Sequence, residues 1–253
     1  MTLKHKAALP HERAYRRTSS HRDERSFQIV VEQTDLWVTV RADSPNLMET
    51  LALDSVNRLR GQIEAWMGLD PSFGPSLKPL PVPADGPEII RRMCAAAAIM
   101  NVGPMACVAG GIAALTAKAL LPYSPDCLVE NGGDSMLHST RERTVALLVE
   151  PGKKSELGLR FHAHDFPLSL CASSAKFGHS LSLGNGELAV VRSGDAFLAD
   201  AAATAFCNML QGPQDLEKTA DRARELESEG IEGVFLQCSG RIAVWGNVEL
   251  TAL

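Results

Sequence analysis

Ala95 to Ala117, AAAAIMNVGPMACVAGGIAALTA, is a run of 23 residues without a charge, long enough to cross a bilayer. How it is read decides the fold. Its interior holds Asn101-Val102-Gly103-Pro104, and Ala and Gly dominate over Leu and Ile. Proline lacks an amide donor and restricts the residue before it. The run is therefore predicted to be two buried helices, near 87–101 and 105–121, and not a membrane span. The second carries Ala106, Ala109, Gly110, Gly111, Ala113, Ala114 and Ala117, so it can approach a sheet or a ligand closely.

Upstream, six prolines between residues 71 and 87 make an extended connector. Before it, Leu47, Leu51, Val56, Leu59, Ile63 and Trp66 keep helical spacing, in a helix capped by Asp43-Ser44-Pro45 and running to about Met67. Phe27–Glu32 and Leu36–Val40 are β-branched and aromatic runs, predicted as a hairpin turned at Gln33-Thr34-Asp35. Downstream, strand-like runs lie at 127–131, 144–150, 157–162, 167–172 and 187–193. An alanine-rich helix begins near Phe197, and an amphipathic helix covers Gln214 to Glu229. A last hairpin, Gly233–Cys238 with Arg241–Trp245, turns at Ser239-Gly240. Strands paired in hairpins and helices in consecutive runs predict an α+β fold, with a mainly antiparallel sheet and helices packed on one side.

The chain of 253 residues carries a net charge of −5, which gives no electrostatic case for nucleic acid. Residues 1–25 form a basic lead, seven Lys or Arg against three acids, read as a solvated end. That lead lacks the apolar core of a secretory signal. Residues 26–253 are expected to form a single domain. Six scattered cysteines with no Cys-x-x-Cys pair suit buried thiols in a reducing cytoplasm.

Four segments look chemically loaded. Asp200 and Thr204 stand one turn apart on the alanine helix and can aim two hard oxygens at one point. Such a pair suits Mg²⁺, and Asn208 continues the stripe. Asn131-Gly132-Gly133-Asp134 follows an apolar strand; paired glycines are a tight turn, or they bring backbone amides to phosphate oxygens. Asp134 adds a carboxylate facing a metal or a hydroxyl. Cys171-Ala172-Ser173-Ser174-Ala175-Lys176-Phe177-Gly178-His179-Ser180 offers hydroxyls, an ammonium and an imidazole suited to proton transfer. Gly103-Pro104-Met105 opens a helix whose N-terminal amides can meet an anion. His162 and His164 alternate on a strand, which is weak evidence for a metal.

In this order the four segments, together with Val108-Ala109-Gly110, resemble the ApbE-like superfamily, most closely its short branch, from about Tyr15 to the end. The resemblance implies a T-fold-like arrangement and, for 26–253, a single ApbE-like domain. The better-known members are FAD:protein FMN transferases that use Mg²⁺ to cleave FAD and attach FMN to a threonine of an acceptor protein. By that resemblance Asp200 and Thr204 are the metal ligands, and His179, Asp134 and Ser174 the catalytic residues. Gly103, Met105, Asn131, Gly132, Gly133, Ser173, Ser174, Gly178, His179 and Ser180 would line a flavin nucleotide, FAD or FMN, or another phosphate-bearing small molecule.

The sequence also departs from the transferases. They follow their histidine with Asp-Pro-x-Thr-Gly, whereas His179 is followed by Ser180-Leu181-Ser182-Leu183-Gly184. Three readings therefore stand: a Mg²⁺-dependent flavin-nucleotide transferase or related enzyme, a non-catalytic binder of the same ligand, and a sulfur-handling protein. The last is implied by the association of this branch with homocysteine formation, with Cys171 as its thiol. Hairpin edges at both ends of the chain make a homodimer an expectation.

Overall fold

A computed structural model of the chain describes residues 23–41, 45–148, 156–175 and 184–253. Strands β1 (Arg25–Val31) and β2 (Thr34–Val40) come first, then helix α1 (Pro45–Leu69). The proline-rich connector leads to α2 (Glu88–Met100) and α3 (Val108–Leu120). Asn101 ends α2 in the left-handed conformation, and Gly103-Pro104 opens a short 3-10 turn into α3. The apolar run is thus broken where proline predicts. Pro104–Tyr123 is long and apolar enough to cross a membrane, yet 56% of its apolar window is buried inside the protein.

Strands β3 (Cys127–Asn131), β4 (Asp134–His138), β5 (Arg143–Ala146), β6 (Leu157–Phe161), β7 (Leu168–Ser173) and β8 (Leu188–Ser193) follow. Then come α4 (Ala196–Met209), α5 (Leu216–Glu225), β9 (Ile231–Cys238), β10 (Arg241–Gly246) and β11 (Glu249–Ala252). Eight strands form one sheet in the order β1-β2-β3-β4-β7-β8-β9-β10, every neighbour antiparallel. A second sheet runs β11-β6-β5.

Helix α1 packs on β1 and β2, α3 on β3 and β4, α4 on β7 and β8, and α5 on β9 and β10, all on one face. The fold is the α+β arrangement the hairpins predict. The opposite face carries what the sequence did not reveal. There the small sheet lays Leu159 and Phe161 against Leu137, Leu170, Leu188, Val190 and Phe235, a second apolar core.

Several local expectations shift. The first hairpin turns at Glu32-Gln33, with Glu32 at φ 52°, because buried, β-branched Thr34 sits in the strand opposite Val31. The strand expected at 144–150 is β5, ending at Ala146, and residues 149–150 lie outside the described part. The helix expected over Gln214–Glu229 is α5, flanked by short 3-10 turns. The cap Asp43-Ser44 lies outside the described residues.

Candidate active site

Helix α4 starts at Asp195, whose carboxylate accepts the Phe197 N–H at 2.8 Å, an N-cap that satisfies an otherwise orphaned amide. Its alanines keep it slim, and α3 presents Gly110 and Gly111 to it. A Cβ at Gly110 would stand 2.5 Å from the Ala196 carbonyl oxygen and 2.9 Å from Asp200 Cβ. One at Gly111 would stand 2.5 Å from the Phe197 ring. Glycine is required by this approach, and the approach has a chemical result. Asp200 Oδ2 accepts the Gly110 N–H at 2.8 Å, closing the positive end of α3 with a carboxylate.

The sheet supplies the facing wall. Gly132 (φ 71°) and Gly133 (φ 119°) make the two-residue turn between β3 and β4, a conformation that needs positive φ at both positions. The turn's flanking residues, Asn131 and Asp134, are buried on the helix side. Asn131 Nδ2 donates to the Ala109 carbonyl at 3.1 Å, tying the hairpin to the start of α3. Asp134 Oδ1 accepts the Ala172 N–H of β7 at 3.1 Å.

Asp134 and Asp200 are 8% and 7% exposed. Burial is the main cause pushing both carboxyls up, Asp134 to about 7 and Asp200 well above its ordinary range. The negative charge of Asp134 raises Asp200 further, while the Ala172 amide holds Asp134 down and the Gly110 and Ala109 amides hold Asp200 down. Two like charges in one buried space cannot both ionise cheaply.

Cys171 is completely buried and feels both carboxylates. Desolvation and those two charges push its thiol well up, the reverse of what a nucleophilic thiolate needs. Two residues on, Ser173 is 5% exposed, and its buried Oγ has no hydrogen-bond partner among the described residues. Strand alternation aims Ser169, Cys171 and Ser173 at the helix layer. Leaving a buried hydroxyl unpaired costs about 1–3 kcal/mol. Thr204 lies one turn along α4 from Asp200, half-buried, and Asn208 one turn further.

The remaining predicted residues are placed as follows. Gly133 N–H donates to the Glu130 carboxylate at 2.9 Å, so a phosphate oxygen could reach it only by displacing that side chain. Gly103 has a packing reason: a Cβ there would fall 1.8 Å from the Ser76 carbonyl oxygen. Met105 packs against the main core. Ser174 Oγ donates to the Glu187 carbonyl at 2.6 Å. Gly178, His179 and Ser180 lie outside the described residues. His162 and His164 stack on each other, and His162 sits between Glu142 and Glu249 on the small sheet. Among the described residues no three His, Cys, Asp or Glu side chains are grouped to hold a metal by themselves.

Sequence reasoning missed the Ala109 and Gly110 amides as partners of Asp200. It also missed Glu130 as the acceptor for Gly133. The adjacent glycines in α3 were the available signal of a close approach.

The family model described as AbpE bacteria matches residues 17–244. The chain belongs to that family. Within it, this ApbE-like chain is 38% identical over 213 residues to a UPF0280 protein of Methanocella arvoryzae, covering 83% of this chain and 85% of that one. A UPF0280 protein of Archaeoglobus fulgidus is 36% identical over 214 residues, covering 83% and 88%. Among solved structures, the flavinyl transferase ApbE of Pseudomonas stutzeri matches with a TM-score of 0.58 at 11% identity, over 88% of this chain and 94% of that one. The flavin transferase ApbE of Vibrio cholerae matches with a TM-score of 0.52 at 14% identity, over 88% and 96%. These likenesses establish the ApbE-like α+β fold and the short branch to which the chain belongs.

Proposed function

We propose that this chain is a Mg²⁺-dependent enzyme acting on a phosphate-bearing ligand, with transfer from a flavin nucleotide as the first activity to test. The observation that carries the reading is the buried pair Asp134 and Asp200, each held by a backbone amide and near enough that the charge of Asp134 opposes ionisation of Asp200. The donors fit the ion. Mg²⁺ takes hard oxygens, usually one or two carboxylates completed by water and substrate phosphates. Asp200 and the hydroxyls of Thr204 and unpartnered Ser173 are oxygens of that kind. The flavin part of the reading is supported by the names of the neighbours, both of them flavin transferases.

In this scheme Asp200 and Thr204 hold the cation. When bound, Mg²⁺ neutralises charge on phosphoryl oxygens and orients them for attack. Ser174, fixed to the Glu187 carbonyl, sets the end of β7 beside the ligand, and His179 positions its phosphates. Asp134, pushed up to about 7, would in its carboxylate form accept the proton of the attacking hydroxyl. With FAD as donor, the acceptor oxygen bonds to the FMN phosphorus, the pyrophosphate P–O bond breaks and AMP leaves.

Incubation with FAD and Mg²⁺, followed by separation of products, tests this. AMP and FMN, or a flavinylated acceptor, are expected; Asp200→Ala or a chelator abolishes them. A second reading, binding without turnover, is favoured by Ser180-Leu181-Ser182 standing where the transferases have Asp-Pro-x-Thr-Gly. Flavin retained with no AMP formed selects it. No flavin binding at all removes both.

A further inference from the structure

We propose that the edge of β10, which no strand pairs with among the described residues, is the interface of a homodimer, in which a second copy pairs its own β10 antiparallel to the first and continues the sheet. Edge strands in stable monomers are usually short, charged, bulged or interrupted by proline. Strand β10 reads Arg241-Ile242-Ala243-Val244-Trp245-Gly246: its single charge stands at one end, and it has no proline. It is the last strand of the eight.

The hairpin fixes which backbone groups are free. Ser239 (φ 52°) and Gly240 (φ 72°) form a two-residue turn, which makes Cys238 and Arg241 the closing pair. The ladder to β9 then uses the backbone groups of Arg241, Ala243 and Trp245, and those of Ile242 and Val244 point outward. The side chains agree. Ala243 and Trp245 pack into the helix-side core, whereas Ile242 and Val244 share the other face and are 48% and 38% exposed. A two-fold axis at Ala243 sets Ile242 of one copy beside Val244 of the other. Both backbone ladders and both apolar pairs are then completed at once, as an isologous contact requires.

The helix layer fits the same axis. Helix α5 packs on β9 and β10 alike, so it lies about half a strand spacing inside the edge. With strands roughly 4.8 Å apart, the two copies of α5 come to stand about 10 Å from each other, the ordinary distance between packed helices. The groove between α5 and β10 is lined by Glu217 and Arg224, seven residues apart on one helical face, with Asp221, which pairs with Arg224 at 2.6 Å, and Arg241 beside them. The two-fold reverses the second helix, so Glu217 of each copy meets Arg224 of the other.

Sedimentation equilibrium on the full chain tests this, against a chain mass of 27.2 kDa. Twice that mass is expected at micromolar concentrations. Val244→Arg should give a monomer with unchanged circular dichroism, whose melting temperature no longer rises with protein concentration as that of the dimer does. Glu217→Arg should weaken the dimer about tenfold or more by placing like charges together, and adding Arg224→Glu should restore it. A monomeric wild type at 100 µM (a concentration of about 10⁻⁴ M, well above the Kd of a stable interface) overturns the proposal. So does a dimer indifferent to Val244→Arg or to the charge exchange.

Discussion

On β7, Leu168 and Leu170 look toward the small sheet, while Ser169, Cys171 and Ser173 look toward the helices. The same division runs through β4, where Leu137 belongs to the second core and Asp134 to the buried polar cluster beside α4. One face is therefore closed mainly by hydrocarbon, and the guanidinium it buries, Arg192 over the Phe161 ring, is paired with Asp165 and Glu232. The other, a single strand thickness away, buries two carboxylates and an orphan hydroxyl. The first face gains stability from the hydrocarbon it buries and pairs its guanidinium with carboxylates, whereas the other face holds carboxylates with no cation beside them among the described residues. Uncompensated polar burial is what separates a site from a scaffold here.

Removing a piece of the scaffold should have the largest effect. Phe161 is fully buried beneath the sheet and lies 6.4 Å from the Phe166 ring. Phe161→Ala should cost about 3–5 kcal/mol in urea unfolding and leave ligand affinity of the folded protein unchanged. If affinity falls as well, the two faces are not separable. Gly110→Ala should come next, at about 2–3 kcal/mol, because the added methyl meets the Ala196 carbonyl and Asp200 Cβ. It should also push Asp200 aside and erase any stabilisation by Mg²⁺, which thermal melts with and without the ion would record.

The smallest effect has the opposite sign. The carboxyl of Asp134 titrates near 7 when folded and near 3.8 when unfolded, so between those values the folded chain binds more protons. Stability in a chelator is therefore present in acid and falls as pH rises through about 7. Asp134→Asn should remove the share of that slope that Asp134 carries, leaving the share of Asp200, and stabilise the metal-free protein at pH 8, on the order of 2 kcal/mol. A flat profile in the wild type would show that the pocket does not carry the cost assigned to it.

Much of the scaffold was readable. The first and last hairpins announce themselves by alternation, and α4 by its alanines. Strand β4 was not, because Asp134-Ser135-Met136-Leu137-His138 has no β-branched residue and follows a diglycine that also suits a loop. Nor was β11, whose four residues are mostly exposed and pair only with β6. Alternation tells which residues share a face, but not which sheet will cover it, so the second core stayed hidden. The site was legible as a set of oxygens and glycines. Its decisive contact, Gly110 to Asp200, spans 90 residues and depends on two helices approaching closely. The burial that raises Asp134 has no sequence signature at all.

The route of the chain through the small sheet sets an order of events. Strands β5 and β6 are near neighbours in sequence, but Leu159 finds its other partner, Leu250, about ninety residues later. At a synthesis rate of roughly 5–20 residues per second, β6 emerges about 5–18 s before β11 does. During that interval the underside of the large sheet has two of its three covering strands. The second apolar core is thus completed last, and Leu159 and Phe161 wait on the C-terminal strand for their cover.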